Sequence, residues 1–161
     1  MAVIYVSVGE CKASKTPGDI IKTMALGSCV AVIALDPDNR AIGMLHAALP
    51  DSSINQKRVA ERPGMFMDSG IPVLIDAMRD LGYDGNSRLI IKLVGGASIM
   101  DPNQTFNIGK RNVLAARRVL WSLKLGPLAE DVGDSFSRTV TADVDTGRIT
   151  ISSPRKGEWN L

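Results

Sequence analysis

The chain has 161 residues, 45% of them hydrophobic and 4% aromatic, with a formal net charge of +2. This is enough apolar content for one globular domain over residues 1–161 with a buried core. The low charge and few aromatics argue against a nucleic-acid partner, and the longest apolar run, Met24 to Leu35, is too short to span a bilayer, so no direct membrane insertion is expected.

The elements follow in chain order. The N-terminus carries no basic leader or export signal and alternates like a strand over Val3–Val8, which points to a cytoplasmic protein. Cys11 and Cys29 are the two cysteines, and a reducing compartment makes free thiols the expectation. Further strands are predicted at Ile20–Met24, Cys29–Leu35 and Ala41–Leu49, the last two joined by a turn at Asp36–Arg40. Residues 51–62 are polar and read as a mobile loop. Ile71, Leu74, Ile75, Met78 and Leu81 recur at helical spacing, and Gly82 stops that helix. Arg88–Val94 reads as a buried strand closed by Gly95 and Gly96. A second helix is predicted from Gly109 to Leu125, ended by Gly126-Pro127. Leu128–Val132 and a hairpin of Arg138–Val144 and Arg148–Ser152 complete the set. Short-linked strands outnumber helices, which argues for a mixed α/β sandwich with helices covering one sheet.

His46 is the one histidine in the chain. Any imidazole-dependent chemistry near neutral pH must therefore run through it. A turn centred on Pro37-Asp38 sets Cys29 opposite His46 or one step off, the spacing a thiol and its base require. Gly27 and Ser28 let the backbone turn sharply before Cys29 and bring N–H groups to where an oxyanion would form. A nearby imidazole would lower the thiol pKa. Thr23, at the end of the preceding strand, is the candidate that orients the ring. The bland alternatives stay open at this point: Cys29 as a small core residue, His46 as a satisfied core histidine, Thr23 as an ordinary strand residue. Zinc fails on ligand count and spacing, so no metal is expected. Gly95-Gly96-Ala97-Ser98 lacks the lysine and spacing of a phosphate loop and reads as a close backbone approach beside the site. Lys110, Arg117 and Lys124 repeat every seventh residue as a basic stripe, a solvated face or a weak docking surface. A Cys11–Cys29 redox bridge is a further possibility.

Together, Thr23–Val32 with its Gly-Ser-Cys, Gly43–Pro50, Pro63-Gly64 with Asp68, Lys92–Met100 with its Gly-Gly-Ala, Asn107–Asn112, Glu130–Gly133, Arg138 and Thr146-Gly147 resemble the CheD family of bacterial chemoreceptor glutamine deamidases. The resemblance runs in order through nearly the whole chain. It implies a three-layer α/β/β sandwich of mixed, largely antiparallel sheets with helices on one face, similar to the catalytic domain of the cytotoxic necrotizing factor toxins. It implies a Cys-His-Thr triad, carried here onto Cys29 as nucleophile, His46 as general base and acid, and Thr23 as orienting group, with no cofactor. The implied substrates are glutamine side chains of methyl-accepting chemotaxis receptors, and the implied regulatory partner is the phosphatase CheC. A regulator that binds receptors or CheC without catalysis is the competing expectation. The chain departs from the family pattern at Ala25, Phe66 and Asp134, where glycine, tyrosine and glycine are common.

Overall fold

The computed structural model describes residues 2–99 and 106–161. Met100, at the end of one matching block, lies outside the described residues. In chain order the elements are β1 (Val3–Tyr5), β2 (Cys11–Ser14), β3 (Ile20–Leu26), β4 (Val30–Asp36), β5 (Ala41–Ala47), α1 (Gln56–Glu61), α2 (Met67–Asp80), β6 (Ile90–Gly95), α3 (Ile108–Ser122), β7 (Ala129–Val132), β8 (Arg138–Asp143), β9 (Ile149–Ser153) and β10 (Gly157–Asn160).

Every residue of β4 and β5 is buried. Continuous burial over seven residues demands cover on both faces, and the fold supplies it. These strands lie at the centre of one sheet, ordered β2-β5-β4-β6-β7. On one side, Val30, Val32 and Leu45 pack against Met67, Ile71 and Leu74 of α2 and Val113, Ala116 and Leu120 of α3. On the other side, Ala31, Ile33, Ile42 and Met44 meet Ile21, Val140, Ala142 and Ile151 of the second sheet, ordered β1-β3-β8-β9-β10. Strands β8 and β9 bury alternate residues, as strands of an outer layer do. The pairings are antiparallel except β1 with β3 and β6 with β7. The result is the expected three-layer α/β/β sandwich with its helices on one face.

Several boundaries differ from the sequence expectation. β1 stops at Tyr5 rather than Val8, and two short strands, β2 and β10, were not anticipated. Residues 51–62 are more ordered than a loop: Ser52–Ile54 form a 3₁₀ turn and α1 follows. Asp68 of α2 accepts from the Ser52 N–H and hydroxyl at 3.0 and 2.7 Å, and Asn55 caps α1 by accepting from the Arg58 N–H.

Helix α3 ends at Ser122, before the Gly126-Pro127 signal, because Lys124 turns left-handed at φ 60°. The Leu125 and Lys124 N–H groups then close back on the Leu120 and Trp121 carbonyls. That is the usual helix-ending turn with lysine where glycine is favoured. Lys124→Gly relieves the steric cost at the price of chain entropy, so we expect a gain of about 0.5 kcal/mol, read as a higher urea midpoint with an unchanged slope. The basic stripe is broken as well. Lys124 has left the helix, and the Arg117 guanidinium is tied to Glu130 of β7 through Nε to Oε2 at 2.9 Å and a second contact to Oε1.

Candidate active site

The chain crosses from the outer sheet to the central sheet between Leu26 and Val30, and Cys29 sits on that crossing. The crossing needs a kink, and β3 provides it. Its register slips between Thr23 and Leu26, and Ala25 there has φ 53° with its N–H bonded to Thr139 Oγ1 at 3.1 Å. The bulge lets both Thr23 and Leu26 face the core while Met24 is exposed. Position 25 therefore has the left-handed backbone that makes glycine common there, and alanine bears it.

His46 lies on β5 opposite Ala31, not opposite Cys29. The hairpin closes with Asp36 paired to Ala41 around a four-residue turn that ends in Arg40 at φ 53°. That length shifts the register from the expected one. Ala31 and Cys29 are two apart, with Cys29 one residue before β4 begins, so strand alternation puts the thiol on the same side of the central sheet as the imidazole. Cys29 packs against the cluster that holds Ala31 and Met44. Cys11 pairs with Leu45 and packs against the helix-facing cluster. The two thiols are free and lie on opposite sides of one sheet, so they form neither a redox bridge nor a shared metal site.

The imidazole environment is specific. Thr23 Oγ1 lies 2.6 Å from the Val6 carbonyl oxygen and 2.7 Å from His46 Nδ1. A carbonyl cannot donate, so the threonine proton goes to Val6 and Oγ1 must accept from Nδ1–H. The neutral ring is then the Nδ1–H tautomer, and Nε2 carries the lone pair. Nε2 is buried and has no hydrogen-bond partner among the described residues. The His46 backbone is held on both sides, its carbonyl accepting from Gly9 and its N–H donating to Glu10. Val6 was invisible to sequence reasoning, since any residue type supplies a carbonyl.

Behind the nucleophile loop, three consecutive carbonyls are occupied. The Gly27 oxygen accepts from the Ala97 N–H and the Cys29 oxygen from the Gly96 N–H, both at 2.9 Å. The Ser28 oxygen accepts from Asn112 Nδ2 at 2.9 Å. Carbonyl and N–H point opposite ways in a trans peptide, so the Ser28 and Cys29 N–H groups face away from these donors. Among the described residues neither N–H has a hydrogen-bond acceptor on another residue. Gly95 makes the close approach possible: a Cβ there would lie 2.3 Å from the Cys29 oxygen, and its φ is 118°. Asp134, at φ 58°, adopts the left-handed conformation that glycine would take more easily and accepts from the Ser98 N–H at 2.9 Å.

A cavity of about 440 Å³ opens beside Cys29, lined by Gly27, Ser28, Ala97, Ile99, Phe106 and the first turn of α3 among others. A second hollow of about 720 Å³ adjoins it through Ser98 and Ile99 and reaches Lys110 and Asp134. His46 and Thr23 are only 4% and 1% exposed and line neither. Phe66, where tyrosine is common, is fully buried and lines neither. Burial pushes the Cys29 thiol above its ordinary pKa, with its own backbone N–H pulling the other way. Burial holds His46 below the ordinary imidazole value, against an opposite pull from the Val6 carbonyl. The expected lowering of the thiol pKa is therefore absent. At neutral pH the pair is thiol and neutral imidazole rather than a preformed ion pair.

Arg138, 1% exposed, locks the far wall. Its Nε donates to Asp131 at 2.9 Å and its Nη1 to the Gly133 carbonyl at 2.9 Å, and its guanidinium lies 4.2 Å from the Phe136 ring centre.

The family model described as "CheD chemotactic sensory transduction" matches residues 48–153. A Syntrophotalea carbinolica protein named "Probable chemoreceptor glutamine deamidase CheD" is 48% identical over 162 residues, covering 100% of both chains. The "Chemoreceptor glutamine deamidase CheD" of Thermotoga maritima is 35% identical over 95% of this chain and 93% of its own. A crystal structure of a Neisseria meningitidis DUF152 protein matches with a TM-score of 0.50 at 11% identity, covering 83% of this chain and 64% of that one. That likeness concerns the fold alone.

Proposed function

The chain belongs to the CheD family, and on that premise we propose that it is a cysteine-dependent protein-glutamine deamidase, converting glutamine side chains of methyl-accepting chemotaxis receptors to glutamate. The observation that carries the chemistry is the His46 Nε2, unpartnered among the described residues, with Nδ1 committed to Thr23, on the face that also holds Cys29. The same proposal takes residues 1–161 as one deamidase domain, places it in the cytoplasm and includes regulation by CheC.

In the reaction His46 Nε2 takes the Cys29 proton as Sγ bonds to the carboxamide carbon. The carbonyl electron pair moves onto oxygen, which the Ser28 and Cys29 N–H groups receive. The imidazolium returns its proton to nitrogen, the C–N bond breaks, and ammonia leaves a thioester on Cys29. Neutral His46 then takes a proton from water, hydroxide oxygen bonds to the acyl carbon, and the C–S bond breaks as the thiol regains its proton. The products are glutamate and ammonia. Thr23 keeps the imidazole in its tautomer throughout. No metal or organic cofactor takes part.

Incubation with the cytoplasmic fragment of a receptor should release ammonia, one for each glutamate formed. The pH dependence has a definite sign. Activity requires neutral His46, whose pKa lies below the ordinary value of about 6.5, so the rate holds as pH falls through that value and drops only beneath it. On the alkaline side the rate holds through the ordinary thiol range, because the Cys29 pKa is raised. An acid midpoint at or above the ordinary imidazole value would contradict this assignment. Absence of ammonia release would contradict the function.

A further inference from the structure

Asn112 is fully buried on α3, on the helix face that also carries Val113, Ala116 and Leu120. Its Nδ2 donates to two carbonyls at once, Ser28 at 2.9 Å and Ala48 at 3.0 Å. Ser28 precedes the nucleophile, and Ala48 follows directly on the strand that carries His46. One amide nitrogen thus ties the nucleophile loop to the end of β5.

Among the described residues, the buried side-chain polar atoms without a partner are two: His46 Nε2 and Asn112 Oδ1. The first is the free base. The second is unfavourable, since a buried acceptor without a partner has given up water and gained nothing in exchange. If packing α3 were the only task, an apolar residue of this volume would do it without the orphan. The side chain is better explained by its two donors. Aspartate has none when ionised, serine has one, and a lysine would bring a charge into the core.

We propose that Asn112 is a positioning residue for the reaction: by holding the Ser28 carbonyl it aims the Cys29 N–H, the other end of the same peptide plane, at the oxyanion forming on the substrate carboxamide. The peptide is rigid, so fixing one end fixes the other. The Ala48 bond keeps that plane in register with the strand bearing the base. This assignment rests on the deamidase reading, but it also reaches the thiol directly. The Cys29 N–H acts on its own sulfur and favours the thiolate, so freeing the peptide plane makes the thiolate harder to form.

The test uses the full chain with Asn112→Leu, which removes both donors in a bulkier side chain of the same branching, and Asn112→Ser, which keeps one donor in a smaller side chain. Folding is checked by urea unfolding. The readouts are kcat and KM on a receptor cytoplasmic fragment, and the pH midpoint of Cys29 alkylation by iodoacetamide, mapped by peptide to separate it from Cys11. We expect kcat to fall at least about tenfold in Asn112→Leu, as for weakening one oxyanion donor, with KM within about twofold. Asn112→Ser should fall less. The alkylation midpoint should move to higher pH in both. A purely structural role would lower the urea midpoint and leave kcat and the alkylation midpoint of the folded protein unchanged, and that result would overturn the proposal. If the leucine variant does not fold, the serine variant decides by the same two readouts. If wild type forms no glutamate, the deamidase reading fails, and the alkylation midpoint alone still decides whether Asn112 positions Cys29.

Discussion

His46→Ala is expected to lower kcat/KM for receptor glutamine deamidation by about a thousandfold or more, with the protein still folded. General-base assistance contributes about 10²–10⁴-fold, and this chain has one histidine to supply it. No second imidazole can compensate, and the ring is anchored through Nδ1 to Thr23 and presents an Nε2 that has no competing partner among the described residues. The raised pKa of Cys29 strengthens the dependence. A half-buried thiol with little thiolate at neutral pH cannot react at a useful rate unless a base removes its proton during attack. Alanine also deletes a neutral, buried ring, so the structural cost is a cavity rather than an exposed charge. Steady-state rates on a receptor fragment, beside a urea unfolding curve, separate the two effects. A folded His46→Ala protein within tenfold of wild type would contradict the role given to this residue.

The second large effect is on stability. Arg138→Ala should destabilise the fold by about 3 kcal/mol, the scale for breaking a buried charge pair by removing one partner. Arg138 is 1% exposed and Asp131 is 22% exposed, so water relieves part of the carboxylate's loss and the figure sits at the low end of that scale. The alanine also abandons the Gly133 carbonyl, the stacking on Phe136 and the volume of the largest fully buried side chain. Asp131 keeps its other partner, the Trp159 indole N–H at 2.6 Å. The damage reaches the site through backbone. Gly133 donates to the Gly95 carbonyl, and the Gly96 and Ala97 N–H groups hold the Cys29 and Gly27 carbonyls. Urea unfolding of Arg138→Ala against wild type reads the change directly. A loss under about 1 kcal/mol would mean that the guanidinium is not the keystone of this wall.

What the sequence made legible, and what it hid, follows from the kind of signal each feature leaves. The central hairpin and the two long helices are written in apolar periodicity and were read to within a few residues, whereas the three-layer class was implied by the family resemblance. The register of that hairpin was not, because the left-handed residue closing its turn is Arg40, with no glycine to mark it. The early end of α3 was hidden for the same reason at Lys124. Strands β2 and β10 have four residues each and are largely exposed or half-buried, so neither shows an apolar alternation to read. Helix α1 did leave a signal, the capping Asn55, in a stretch otherwise dominated by polarity.

The site divides in the same way. Cys29, His46 and Thr23 stood out as residue types at suggestive spacing, and the structure brings Thr23 and His46 into contact with each other, while Cys29 packs against the apolar cluster between the sheets. The Val6 carbonyl has no sequence signature. Asn112 has one: it is a polar residue in phase with the buried positions of α3. That phase, rather than the residue type, is the clue to look for.

The most direct measurement is peptide mass spectrometry of a receptor cytoplasmic fragment incubated side by side with wild-type protein and with Cys29→Ala. Sulfur is the atom that must bond to the carboxamide carbon, and alanine removes it while leaving the buried ring and the loop carbonyl contacts in place. Glutamine-to-glutamate conversion with wild type and none with Cys29→Ala is the predicted result. Equal conversion by both proteins, or none by wild type while it still binds the receptor fragment, would contradict a deamidase working through Cys29.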